Sequence, residues 1–93
     1  MSKRIYIPIN PEECLKHPIA YNVRMMINRN NITIKNVYDY IAYIHPDKTP
    51  KDWKRITDVM IYGIKHYNNI TASTIEDWCI ICGEEFQFYP SSK

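Results

Sequence analysis

Glycine is scarce in this chain: Gly63 and Gly83 are the only two in 93 residues. A glycine-rich phosphate loop or a Gly-x-Ser-x-Gly nucleophile turn needs several close together, so neither is present. No apolar stretch exceeds six residues, Val59–Ile64 among them, whereas a membrane-spanning helix requires roughly 20. The start, Met1-Ser-Lys-Arg4, has the charge of a signal n-region, but Pro8, Asn10 and Pro11 interrupt any apolar segment behind it. No membrane partner is expected, and the cytoplasm of the producing or infected cell is the expected location. Cysteine occurs three times, at Cys14, Cys79 and Cys82, an odd and sparse set that excludes the disulfide framework of a small secreted domain. Leucine occurs once, at Leu15, beside sixteen isoleucines, eight asparagines and eight tyrosines. That bias follows AT-rich codons and points to a viral, phage or mobile-element gene.

What is present describes one ordinary globular unit. Apolar residues form 45% of the chain and charged residues 24%, far from the composition of disordered chains. Residues 1–93 are therefore read as a single domain with a modest core, folding alone or as a homodimer. The net charge of +2 conceals an asymmetry, with a basic front third and an acidic tail. A pI near 8.4 is too mild for an obligate nucleic-acid binder, whose domains usually exceed about 9.

Helical signals dominate. Lys3–Ile9 alternates like a strand, but Pro8 restricts it to an edge strand or extended arm. Asn10-Pro-Glu-Glu13 reads as a helix start, and the helix is brief because Pro18 disfavours helical geometry at His17. A second helix is predicted over about 18–29 with Ile19, Val23, Met26 and Ile27 inward, closed by Asn30-Asn31. Thr33 caps a third, with Ile34, Val37, Ile41 and Ile44 inward, stopped by His45-Pro46. Thr49-Pro-Lys-Asp52 opens the fourth, about 50–67, whose inward arc is Trp53, Ile56, Met60, Ile64 and Tyr67, with Asn68-Asn69 closing it. Ser73-Thr-Ile-Glu76 is a capping box for a last helix in which Ile75, Trp78, Cys79 and Cys82 share a face and Gly83 terminates. Glu85–Tyr89 looks extended. The expected fold is thus mainly α: a compact bundle of four to five short helices with a small two-stranded ribbon made by the two terminal segments.

Chemistry-bearing patterns are few. Cys14-Leu-Lys-His17 and Cys79-Ile-Ile-Cys82 have the pair spacing of zinc ligands, which gives a zinc-stabilised domain as a third reading. With 61 residues between the pairs, no finger spacing joins them, and the cysteines are expected as reduced core thiols with no metal. Trp78-Cys-Ile-Ile-Cys82 resembles the Trp-Cys-x-x-Cys of thioredoxin-like enzymes, but no buried strand precedes it and the capping box places Cys79 inside the helix. His17, His45 and His66 are scattered, and the acidic pairs suit helix N-termini or solvated surface. No catalytic residue and no cofactor is expected.

The outward face of the fourth helix carries the functional expectation. Lys51, Lys54, Arg55, Tyr62, Lys65 and His66 lie opposite Trp53 and Met60, with Asp58 the one acid among them. Tyr40 and Tyr43 point away from the stripe of the third helix and are expected as exposed aromatic anchors. The third and fourth helices also read as a helix-turn-helix, the basic start of the fourth serving as recognition helix. Lys51-Asp-Trp-Lys-Arg-Ile56 resembles a segment of viral KilA-N-type DNA-binding domains over these six residues, which would imply a nucleic-acid partner. The favoured expectation is a small non-catalytic accessory or inhibitor protein that docks on a host protein through this face, with a DNA-binding regulator as the alternative.

Overall fold

A computed structural model describes residues 3–67 and 70–84. Among these, five helices follow in order: α1 (Glu13–Lys16), α2 (Pro18–Arg29), α3 (Ile34–Ile44), α4 (Pro50–His66) and α5 (Ala72–Cys82). α2 packs against α1, α4 and α5, and α3 against α4 and α5. The mainly helical fold read from the sequence is the fold observed.

The helix ends show why the segments stop where they do. Asn10 receives the Glu12 N–H on its side chain at 3.1 Å, one turn before α1 begins. His17, preceding Pro18, leaves helical geometry at φ −137°, ψ 65° and separates α1 from α2. Thr33 and Thr49 cap α3 and α4 through reciprocal boxes with Asn36 and Asp52. α5 starts two residues earlier than expected. Its cap is Thr71, which accepts the Thr74 N–H at 3.3 Å, and the Ile75 N–H then reaches the Thr71 carbonyl at 3.0 Å. In a run of hydroxyl residues each can cap, and Thr71 adds most of a turn ahead of the apolar face. α4 ends on Tyr67 in the left-handed region at φ 54°; Asn68 and Asn69, expected to close it, lie outside the described residues.

The core gathers Val23, Met26 and Ile27 of α2, Val37 and Ile41 of α3, Ile64 of α4, Ile75 and Trp78 of α5, and Ile5 and Ile7 of the N-terminal arm. Its inward arcs differ from those read off the sequence. α2 buries Val23, Met26 and Ile27 as expected, with Ala20 and Arg24 beside them, whereas Ile19 lies at the edge, and Ile34 and Ile44 flank the buried pair of α3. An arginine belongs to that buried arc, and it displaces the arc from the position an all-apolar reading would choose. Trp53, expected fully buried, is half-buried; its indole N–H donates to the His45 carbonyl at 2.8 Å and its ring meets Tyr38 edge-on at 6.0 Å. Among the described residues the Trp78 indole N–H finds no acceptor.

The arm is extended, as Pro8 requires, and finds its pairing inside the bundle. Arg4 bridges Thr33 antiparallel, with the Ile5 N–H donating to Ile32 at 2.8 Å and the Ile34 N–H to Lys3 at 2.9 Å. Further along, the Asn28 side chain substitutes for a strand: its Oδ1 accepts the Ile7 N–H at 3.0 Å and its Nδ2 donates to the Ile7 carbonyl at 2.7 Å. The other half of the expected ribbon, Glu85–Tyr89, lies outside the described residues.

Candidate functional site on the outer face of helix α4

The capping box at Thr49 fixes the phase of α4. With Trp53 turned in against His45 and Tyr38, and Thr57 and Ile64 buried below, the 100° step of the helix sends Lys51, Arg55, Asp58, Tyr62 and Lys65 to the opposite side. Lys51, Lys54, Arg55, Asp58, Val59 and Tyr62 line one shallow, mostly apolar trough. All six lie on a single helix, so the trough is open to solvent along its length. Val59 and Tyr62 are each 56% exposed. The Tyr62 ring lies 4.3 Å from that of His66, tilted by 36°.

The cations along the trough are only loosely held. Lys54 meets Asp58 at 3.4 Å and Arg55 meets Asp52 at 3.8 Å; both pairs are exposed, and such pairs contribute little and are screened by salt. Among the described residues Lys51 and Lys65 form no ion pair. Asp52 is held below the ordinary carboxylate range, first by the Thr49 backbone N–H and then by the Thr49 hydroxyl, so its charge serves the cap.

The two tyrosines of α3 part company. Tyr43 is 83% exposed, as expected. Tyr40 is no exposed anchor: it packs against the core, and its hydroxyl donates to Asp77 of α5. Burial and the adjacent carboxylate both raise its pKa. The sequence hint was Asp77 on the neighbouring helix, which only the packing of α3 against α5 brings within reach.

A second polar cluster escaped the sequence reading. Arg24, 5% exposed, donates through Nε to the Ile64 carbonyl at 2.8 Å, through Nη2 to the Lys65 carbonyl, and through Nη1 to the Pro8 carbonyl at 3.4 Å. It pairs with Glu13 at 3.5 Å and lies 3.9 Å above the Tyr67 ring. Tyr67 donates to Glu13 and stacks on His17 at 4.0 Å; burial first, then the Glu13 hydrogen bond, pushes its pKa up to about 12. The guanidinium thus closes the carbonyl end of α4, where a cation also suits the helix dipole. Arg24 follows Val23 on the buried side of α2, next to the apolar positions that the helical period marks.

Cys14, Cys79 and Cys82 are not joined in disulfides. Cys82 sits at the last position of α5, where burial and then the Glu84 charge push its pKa up to about 12; the thiolate that redox chemistry needs is disfavoured there. Among the described residues no three His, Cys, Asp or Glu side chains converge on a point that could hold a metal ion, so Cys14, His17, Cys79 and Cys82 do not form a common site. No described helix is long and apolar enough to cross a membrane.

No family model matches the chain, and neither a curated protein nor a solved structure is found similar to it.

Proposed function

We propose that this protein is a non-catalytic binding module that docks on another protein through the outer face of α4. The observation that carries this reading is the pair of half-exposed apolar residues, Val59 and Tyr62, set between cations on α4. A central apolar patch with a charged rim is the anatomy of a protein interface, where the rim steers association and the centre holds the complex. The isoleucine-rich, leucine-poor composition supports a viral or phage accessory protein acting on a host protein, by occluding a surface of the latter.

Docking on DNA through a helix-turn-helix is less well supported by the same face. The opening turn of α4 turns Trp53 inward, Arg55 pairs with Asp52, and Lys54 pairs with Asp58. Acids beside the cations weaken the field that phosphates need, and a phosphate backbone offers nothing to cover Val59 and Tyr62.

A photo-cross-linking amino acid at Val59, introduced in the cell of origin, tests the reading. A protein adduct is expected that disappears in the Lys54→Glu, Arg55→Glu double variant. With the partner purified, the double variant slows association and Tyr62→Ala speeds dissociation by about tenfold or more. A nuclease-sensitive adduct, or a protein adduct indifferent to the double variant, refutes it.

A further inference from the structure

Lys51, Arg55, Asp58, Tyr62 and Lys65 are separated by four, three, four and three residues. This is the spacing by which one helix presents a continuous seam to another laid nearly parallel to it. The seam runs about 21 Å along α4 at 1.5 Å per residue. Val59 and His66 flank it on one side and Lys54 on the other. In a coiled coil such positions are apolar; here they are Lys, Arg, Asp, Tyr and Lys, so a matching helix must supply the opposite charges.

From this we infer that the occupant of the α4 face is an acidic amphipathic helix, with carboxylates at its two ends and an apolar residue at its middle. The inference rests on the docking reading above and narrows it to a class of partner. Carboxylates opposite Lys51 and Arg55 at one end and Lys65 at the other answer the cations, while the apolar middle covers Tyr62 and Val59. Asp58, already beside Lys54 at 3.4 Å, is the position at which an acid on the partner is excluded.

A second copy of this chain does not answer the whole seam. Two α4 seams overlapping over their full length, related by a two-fold axis and running antiparallel, place Asp58 opposite Asp58, and Lys51 opposite Lys65 twice. Only Arg55 against Tyr62 is then favourable. Two seams running parallel place each charge opposite itself. Like charges face each other in both full-length arrangements, which favours a partner of different sequence over a copy covering the whole seam.

The probes are two synthetic helical peptides about three heptads long, one with glutamates facing Lys51, Arg55 and Lys65 and leucines facing Val59 and Tyr62, the other with glutamines in place of the glutamates. A mixed-sequence DNA duplex is the third probe. Each is titrated into the isotopically labelled full chain, and amide resonances are followed by NMR. The acidic peptide is expected to shift resonances along α4, bind about tenfold more tightly than the glutamine peptide, and lose that margin in the Arg55→Glu, Lys65→Glu variant. Equal binding of the two peptides overturns the acidic class and leaves the docking reading standing. No shift along α4 with the acidic peptide overturns the inference, while the Val59 cross-link decides the docking reading independently. Shifts along α4 from the duplex in place of the peptides overturn both.

Discussion

Arg24 and Arg55 carry the same charge on helices that touch, and the fold treats them in opposite ways. Arg24 is 5% exposed and ties together the end of α4, the N-terminal arm and α1. Among the described residues Arg55 is bound only to Asp52 of its own helix, at 3.8 Å in open solvent. A buried guanidinium persists only where hydrogen bonds and a counter-charge replace its water; an exposed one is left for whatever approaches. The comparison separates charges that build the molecule from charges that a partner can use, and both kinds sit on or against α4.

The sharpest way to break the contrast is Arg24→Met, which keeps the stem and removes the fork. The carbonyls of Ile64 and Lys65 lose their donor and Glu13 its partner, so unfolding free energy should fall by about 3 kcal/mol, read from denaturant melts. A loss below about 1 kcal/mol would mean that water replaces the guanidinium and that the two arginines differ only in exposure.

A smaller effect should come from the other end of α2, where Arg29 and Asn30 hold Glu84. Arg29 donates through Nε at 2.9 Å and through Nη2 at 2.5 Å, and Asn30 donates through its amide. The Arg29 hydrogen bonds, then that of Asn30, lower the carboxyl from 4.5 to about 2. A depressed carboxyl contributes stability above its unfolded pKa, lost as pH falls from there toward the folded value. Thermal melts across that window should drop less steeply for Glu84→Gln than for the parent; identical slopes would remove Glu84 from the acid response.

The smallest effect belongs to the outer face. Lys54→Glu with Arg55→Glu reverses two exposed charges and should change stability by no more than about 0.5 kcal/mol, as measured in the same denaturant melts. A larger loss would show that these cations belong to the fold after all.

The fold was legible wherever a helix end carried its own signal. Thr33, Thr49 and Gly83 mark ends that backbone geometry alone enforces, and Pro18 and His45-Pro46 mark breaks that no packing can override. The α4 face was legible for the same reason: once the cap sets the phase, the helical period assigns the rest. What escaped depends on contacts between segments remote in sequence. Arg24 finds its acceptors only when Ile64 and Lys65 arrive 40 and 41 residues later. Tyr40 reads as exposed until Asp77 stands beside it, 37 residues on.

The Asn28 clamp on Ile7 bears on the order in which the chain assembles. Synthesis delivers the arm first, yet its partners lie 21 residues further along at Asn28, with Ile32–Ile34 beyond. Ile5 and Ile7, nearly sealed from water in the finished molecule, must therefore stay wet until α2 is complete and the turn after it has emerged. Local helical turns form far faster than such distant contacts, which must first close a loop. The arm should accordingly dock after the folding barrier is crossed, and Ile7→Val should speed unfolding while leaving the folding rate nearly unchanged in stopped-flow experiments. The arm, made before its partners, then docks after them.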